Sequence, residues 1–578
     1  MTKPGKPGRA AGKGRVRAVV NRWHTWAAGL PRPAAGFVSQ PEPRTIGLVA
    51  RGRQMAAGNF LLGGFHVEAP GVSLWDIASP DPVFTEAAQG FAWLDDLAAT
   101  GDAASRTCAQ DWTFGWIARY GRGRGPGWTP DLTGRRVIRW VNHALLLLVG
   151  RPPQDSAAFF ASLSRQVVFL SRRWQAATPG LPRFEALCGL IYAGLALTGM
   201  ERLVGPAVAA LARECRTEID VEGGIPSRNP EDLLEVFTLL TWAAQALAEA
   251  GRIAEPEHLA ALERVAPTLR ALRHADGGLA RFHGGGRGLD GRLDHALANS
   301  GVRAVATGGL AMGFARLSAG RTTVIVDAKA PPAGRASIAA HASSLAFELT
   351  SGRRPVIVSC GSGAPFGPDW MRAGRATASH STLSLEGFSS SRLGTGELLA
   401  DRAEVTDVRQ ITGPDGHALT AAHSGWSRSH GLTHVRRLEL STDGRRLTGE
   451  DTLGAISEAE RKRFDAVMSA LRLAGVRFAI RFHLHPTVDA TLDLGGTAVS
   501  LGLRSGEIWV FRQDGTANLS LEPSVYLEKG RLKPRATKQI VLSGAVLDYA
   551  AQVGWTLAKA QDTPLAIRDI ERDDTMLP

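Results

Sequence analysis

Between about residue 90 and residue 275, apolar side chains recur at i, i+3, i+4 and i+7, the spacing that lines one face of an α-helix. "GFAWLDDLAAT", "RRVIRWVNHALLLLVG", "SAAFFASLSRQVVFLSRRWQAA", "FEALCGLIYAGLALTGM", "AVAALARECRTEI", "PEDLLEVFTLLTWAAQALAEAG" and "EPEHLAALERVAPTLRALRH" all carry it. "RNPEDLLEV" reads as a helix start, with Asn229 as N-cap, Pro230 at the first helical position and acids in the first turn. Gly251 marks the end of that helix. Serial helices joined by short loops bury their apolar faces on one another, as in an α/α toroid. From about residue 320 the period falls to two, which is the spacing of strands. "TTVIVDA", "SSLAFELTSG", "RPVIVSCG", "HVRRLELSTDGRRLTGEDTL", "VRFAIRFHLHP", "VSLGLRSGEIWVFRQDG" and "KQIVLSG" follow it. The Asp-Gly pairs in "STDGRR" and "RQDGTA" each predict a hairpin turn. A helical pattern returns only near 456–472. The fold class is therefore α+β, with an N-terminal, incomplete α/α toroid followed by a C-terminal antiparallel β-sandwich. The expected boundaries are a basic, disordered arm over 1–40, a helical domain over 41–318 and the β-sandwich over 319–578. Within the arm, a short amphipathic helix fits Val16–Ala28.

Length and composition narrow the class. The 578 residues are too many for one ordinary domain, and 44% hydrophobic with 21% charged residues describes a globular chain. No run of about 18 apolar residues exists, so no transmembrane segment is expected. The N-terminus is basic without a following apolar stretch, so no secretory signal is read there. The net charge of +12 is concentrated: residues 1–53 hold eleven Lys/Arg and a single acid, Glu42. The body is nearly balanced, which describes a basic arm and not a basic cleft, so no nucleic-acid partner is expected. An arm of this charge suits an anionic membrane surface. Cys108, Cys188, Cys215 and Cys360 are too far apart for a CxxC motif and read as buried thiols.

The candidate chemistry lies in histidines and arginines. "GRGRGPG" and "FHGGGRG" lack the Lys-Ser/Thr of a phosphate loop, and no cofactor motif is present. Arg228 and Asn229 stand at a helix mouth, where a guanidinium, an amide and free backbone N–H groups suit a carboxylate. His380 sits among small hydroxyl residues before a strand. "AAHSGWSRSHGLTHVRRLELS" adds His423, Trp426, His430, His434, Arg436 and Arg437. His483 and His485, two apart on one strand, leave room for a divalent metal, although a polar strand face explains them equally. Asp276, Asp290 and Asp294 are carboxylates for a glycoside hydrolase, but no spacing selects a pair.

Taken together, "PRTIGLVARGR", "GFAWLDDLAA", "GGIPSRNPEDLLEV", "LRALRHADGGLARFHGGG", "AHASSLAFELTSG", "RATASHSTLSLEG", "HSGWSRSHGLTHVRRLELS", "GEDTL" and "RFHLHP" resemble the bacterial heparinase II/III-like family over about residues 40–560. Its members are polysaccharide lyases with an α/α toroid and a β-sandwich. The resemblance implies β-elimination on a uronate-containing, glycosaminoglycan-like polysaccharide. A neutraliser must mask the uronate carboxylate before a base removes the adjacent proton, and an acid must protonate the leaving oxygen. Asn229 matches the neutraliser and His380 the β-domain histidine. Phe282 and His283 stand where a tyrosine is expected, Trp426 and Phe314 replace two further tyrosines, and Ile225 replaces a histidine. The implied catalytic set is Asn229, His283 and His380, with Arg228, His423, Trp426, His434 and Arg436 binding substrate. The partner is an acidic polysaccharide or oligosaccharide, and the oligomeric state is not legible. The missing tyrosines make a catalytically impaired carbohydrate-binding envelope protein of the same fold the alternative. The resemblance implies the cell envelope or periplasm; the lack of a readable export signal makes the cytoplasm the alternative.

Overall fold

Helix formation follows the apolar stripes. The protein is described by a computed structural model covering residues 10–39, 42–303, 308–394, 396–414 and 416–564. The principal helices are α1 (Ala10–Ala27), α2 (Ala103–Tyr120), α3 (Pro130–Asn142), α4 (Pro153–Arg173), α5 (Leu181–Ala196), α6 (Val204–Glu218), α7 (Pro230–Glu249), α8 (Pro256–Ala271) and α9 (Glu458–Ala470). Of the arm over 1–40, residues 1–9 and 40 lie outside the described residues; the helix expected over Val16–Ala28 is present and starts earlier, at Ala10, within the stretch expected to be disordered. Asn229 caps α7, its side-chain oxygen accepting from the backbone N–H of Glu231 (2.9 Å) and Asp232 (3.3 Å). Gly251 ends α7 with φ +67°, as its position after the apolar stripe predicted. Among the described residues, no helix is long and apolar enough to cross a membrane.

The chain divides into two compact units, one of Met1–Glu218 with Glu235–Glu263 and one of Ile219–Leu234 with Arg264–Pro578. The first is helical. Its core holds the rings of Trp75, Phe91, Trp93, Trp112, Trp116 and Trp140, packed edge-on and tilted. Helices near in sequence pack on one another: α4 on α5, α5 on α6, and α3 on α5 across the intervening α4. At the α3–α5 crossing a Cβ on Gly189 would lie 2.6 Å from the Gly134 Cα, so the two backbones meet where only glycine fits.

Among the described residues, the two large sheets of the second unit hold sixteen strands: β1 (Phe314–Ala319), β2 (Thr322–Asp327), β3 (Phe347–Ser351), β4 (Arg354–Val358), β5 (Leu383–Leu385), β6 (Val405–Gly413), β7 (Gly416–Trp426), β8 (Leu432–Ser441), β9 (Arg446–Gly454), β10 (Val476–Leu484), β11 (Asp489–Asp493), β12 (Ala498–Gly502), β13 (Ile508–Gln513), β14 (Asn518–Tyr526), β15 (Arg535–Val546) and β16 (Ala550–Gln561). One antiparallel sheet has the order β6-β7-β8-β9-β16-β13-β12-β11; the other runs β14-β15-β10-β4-β3-β2-β1, with β5 also on β10. Their inner faces share one core in which Phe347 stacks on Trp555 (5.8 Å) and Phe482 meets Trp555 edge-on (4.8 Å). Asp443-Gly444 turns between β8 and β9 as a hairpin. Asp514-Gly515 does not. It links β13 to β14 in the other sheet, because β13 already has β12 and β16 on its two sides.

Candidate functional site

The site begins where α7 starts. Arg228 adopts φ +50° and turns its guanidinium inward. Nε donates to the Met312 carbonyl (3.0 Å), Nη1 to the Lys329 (3.1 Å) and Ala330 (2.9 Å) carbonyls, and Nη2 to the Gly313 carbonyl (3.0 Å) and Asp327 Oδ1 (2.6 Å). A guanidinium has five N–H groups, and all five are used. Arg228 therefore has none to offer a substrate carboxylate and serves as a brace. The Asn229 cap uses only the side-chain oxygen, which leaves the amide Nδ2 uncommitted.

Asp327, at the end of β2, links this brace to the histidines. Its Oδ2 accepts from Ser343 Oγ (2.7 Å) and lies 3.4 Å from His283 Nε2. Burial alone would raise this carboxyl, but Arg228 and His283 hold it well below the usual carboxylate range. His283 Nδ1 accepts the backbone N–H of His341 (3.2 Å), which assigns the imidazole proton to Nε2, toward Asp327. His341 Nε2 accepts the backbone N–H of Gly284 (3.0 Å), so its proton is on Nδ1, which has no partner. The His341 and His380 rings lie 4.8 Å apart at 32°. Neither nitrogen of His380 has a hydrogen-bond partner, and the side chain is 0% exposed. Burial lowers all three imidazoles, His380 to about 3 with His483 and His283 adding to it, so the cluster is neutral at pH 7. Arg228, His283, Met312 and Leu345, which surround Asp327, have φ between +49° and +62°. Left-handed backbone at non-glycine residues gathers where the surroundings over-determine it, often at functional sites.

Around this cluster, Glu348 accepts the Arg281 backbone N–H (3.0 Å) and His274 Nε2 (3.3 Å). The Arg281 guanidinium lies over the ring of Tyr526 (4.2 Å), whose hydroxyl burial pushes up to about 12. His483 Nε2–H donates to the Ala378 carbonyl (3.0 Å) and its Nδ1 accepts from Ser524 Oγ (2.8 Å), and His485 bonds Thr487 Oγ1 (2.7 Å). Among the described residues, no three His, Cys, Asp or Glu side chains are grouped to hold a metal ion. Asp276 and Asp290 are paired with Arg287, and Asp294 with Arg273.

Four residues assigned to substrate binding lie elsewhere. His423, Trp426, His434 and Arg436 are inside the sandwich with at most 2% exposure, so they have no surface to offer a polymer. The Gly425 N–H donates to His423 Nδ1 (3.2 Å), His423 Nε2 to His434 Nδ1 (3.2 Å) and His434 Nε2 to Asp451 Oδ1 (2.7 Å). Arg436 clasps Asp451 through Nε (2.7 Å) and Nη2 (3.0 Å). Its Nη1 reaches the Leu345 (2.8 Å) and Ser381 (3.0 Å) carbonyls, so Arg436 supports the backbone beside His380. Phe314 packs its ring 4.6 Å under Arg228 and 5.1 Å from Phe282, which fills the tyrosine positions with apolar contact. The structure thus joins Arg228, Asn229, His283 and His380 and adds Asp327 and His341, which the sequence reading did not single out.

Residues 303–556 match the family described as "Heparinase II/III-like, C-terminal". Over 553 residues, 93% of this chain and 92% of the relative, the chain is 30% identical to FtsZ-localized protein C of Caulobacter vibrioides. It is similar in fold to heparinase III, with 13% identity, 95% of this chain and 90% of that one covered, and a TM-score of 0.66. A mutant of the heparan sulfate lyase HepC from Pedobacter heparinus gives 14% identity, 96% and 90% coverage, and a TM-score of 0.58. At such identities the likeness is one of fold, and it agrees with the expected helical toroid region and antiparallel sandwich.

Proposed function

Because the chain belongs to the heparinase II/III-like family, we propose that its histidine cluster acts on a uronate-bearing acidic polysaccharide by β-elimination. The observation that carries this reading is the neutral, doubly unpartnered imidazole of His380 beside the unpartnered Nδ1–H of His341. Buried polar groups are rarely left without partners, and each costs about 1–3 kcal/mol when they are. Here the missing partners suit a sugar ring: His380 takes the proton next to the carboxylate and, as the imidazolium, passes it to the leaving oxygen as the glycosidic bond breaks, while the His341 Nδ1–H hydrogen-bonds that oxygen. Asn229 Nδ2 hydrogen-bonds the carboxylate, and Asp327 with Arg228 positions His283 behind them. An anionic substrate favours the imidazolium form and so raises the basicity that burial has lowered.

A second reading, glycan binding without cleavage, is favoured by the closure of His380 and by Phe282 and Phe314 at the tyrosine positions. The relative named as FtsZ-localized supports a location alongside FtsZ for this chain. Incubation with heparin, heparan sulfate, chondroitin sulfate, hyaluronan, alginate and polygalacturonate, followed by the absorbance of the unsaturated uronate, separates the two. A rise that His380→Ala and His341→Ala each abolish supports elimination. Binding of one polymer without any rise establishes the second reading.

A further inference from the structure

Two neighbouring hairpins turn on the same dipeptide. β1 and β2 pair as far as Ala319 and Thr322, which leaves Gly320-Arg321 as the turn; β3 and β4 pair as far as Ser351 and Arg354, which leaves Gly352-Arg353. Each glycine has a positive φ, +53° and +56°, as the first residue of such a tight turn requires. β2 pairs with β3, so the two turns lie side by side. The Gly352 N–H donates to the Arg321 carbonyl (2.7 Å). The Arg321 guanidinium lies over Gly352, where a Cβ would come within 2.4 Å of Nη2. The repeated turn thus brings two arginines to one end of the sheet.

A third arginine joins them from β1. Arg316 Nη1 donates to the Ala271 (3.0 Å) and Arg273 (2.6 Å) carbonyls, and Nη2 donates to Thr323 Oγ1 (3.3 Å). The Nε–H and one Nη2–H remain uncommitted. None of these partners is a carboxylate, and burial lowers the Arg316 pKa with no negative charge to offset it. The three arginines, with Ser318 and Thr323, line an open cavity of about 440 Å³, and among the described residues no Asp or Glu lines it. Arg321 shares the buried Glu507 with Lys559, at 4.0 and 3.3 Å. Arg353 is exposed and has no hydrogen bond or ion pair among the described residues. Arg316 and Arg353 therefore bring two positive charges to the cavity without a counterion.

Charge and donor geometry identify the ligand. Guanidinium forks and hydroxyl groups suit the oxygens of a tetrahedral anion. Two uncompensated charges match a dianion, which a phosphate monoester approaches at pH 7. A sulfate ester or a carboxylate carries one charge only. A cavity of this size also admits a small organic body behind the phosphate. We propose that this cavity binds a phosphate dianion, free or as the terminal monoester of a small metabolite, through Arg316, Arg321 and Arg353. Thr323 stands four residues, about 13 Å, along β2 from Asp327. The cavity is thus separate from the histidine cluster and does not depend on the elimination reading.

Titration calorimetry of the full chain tests this, at about pH 8 and constant ionic strength, with inorganic phosphate, glucose 6-phosphate and glucose 6-sulfate. Phosphate is expected to saturate one site with a Kd at or below about 1 mM. Tighter binding of glucose 6-phosphate assigns the ligand as a monoester; equal or weaker binding assigns it as free phosphate. The singly charged sulfate ester is expected to bind at least about tenfold more weakly than the tighter of the two. Arg353→Ser and, separately, Arg316→Lys are each expected to weaken binding at least about tenfold, the second because it keeps the charge and loses the fork. The thermal midpoint of unliganded Arg353→Ser should not move, since that side chain is exposed, and His380→Ala should bind as the wild type does. Absence of saturable binding overturns the proposal, as does wild-type binding by Arg353→Ser. So do a sulfate ester that binds as tightly as phosphate and loss of binding in His380→Ala, which would move the anion to the histidines.

Discussion

Asp451→Asn is the sharpest perturbation the sandwich allows. The Asp451 carboxylate is 0% exposed and accepts four bonds: Oδ1 takes His434 Nε2 and Arg436 Nε, and Oδ2 takes Arg436 Nη2 and the Trp555 indole N–H (2.9 Å). Asparagine keeps the shape but carries an amide nitrogen on one side. Whichever way it turns, an N–H group faces two donors, and the Arg436 charge loses its counterion. Breaking a buried pair by removing one partner costs about 3–5 kcal/mol. With an m-value of about 3 kcal/mol/M, the urea midpoint falls by about 1 M or more. The informative control removes both partners, Asp451→Leu with Arg436→Met, which leaves no orphaned charge and recovers at least half of the loss. Urea unfolding of the full chain, followed by circular dichroism and tryptophan fluorescence, gives the midpoints. A single variant within about 0.2 M of wild type, or a double variant no better than the single, would refute the reasoning.

Three further outcomes are expected. His380→Phe removes two buried, unpartnered nitrogens, so it raises the thermal midpoint by the equivalent of about 1–2 kcal/mol while abolishing any elimination; a lower midpoint sinks the claim that these atoms are unsatisfied. Gly189→Val places a Cβ against the Gly134 backbone and costs about 3 kcal/mol, read as a fall in the unfolding temperature; an unchanged value contradicts the α3–α5 contact. Burial holds His258 at about 4, His380 at about 3 and His483 at about 4, all below the unfolded value of 6.5. The unfolded chain therefore binds protons that the folded chain refuses, stability is full above about pH 6.5, and each group removes roughly 2 kcal/mol between pH 7 and pH 5. Thermal midpoints that do not drop over that interval refute the neutral assignment.

The elements were largely legible because periodicity is a local property. The α7 cap, the strand runs and the β8–β9 turn all follow from neighbours in sequence. Partner choice is not local, and so Asp514-Gly515 looked like a hairpin and turned out to cross between sheets. The same distinction explains the site. His283 and His380 were readable from composition and resemblance, whereas Asp327 and His341 gain meaning only when β2 and the loop before β3 bring them together. The sandwich histidines carried a clue that parity would have revealed: His434, Arg436, Leu438 and Leu440 share one face of β8, and the leucines fix that face as inward.

One feature of the sheet order governs how this chain is made. β16 lies in the middle of its sheet, between β9 and β13, although both neighbours precede it in sequence. A nascent chain emerging from the ribosome therefore presents two open strand edges until residues 550–561 have been synthesised. Exposed edges invite pairing with other chains, and closure across such a span is slow. The sheet thus closes late in synthesis, and a truncation that removes β16 leaves it in two separate pieces, β6-β7-β8-β9 and β13-β12-β11.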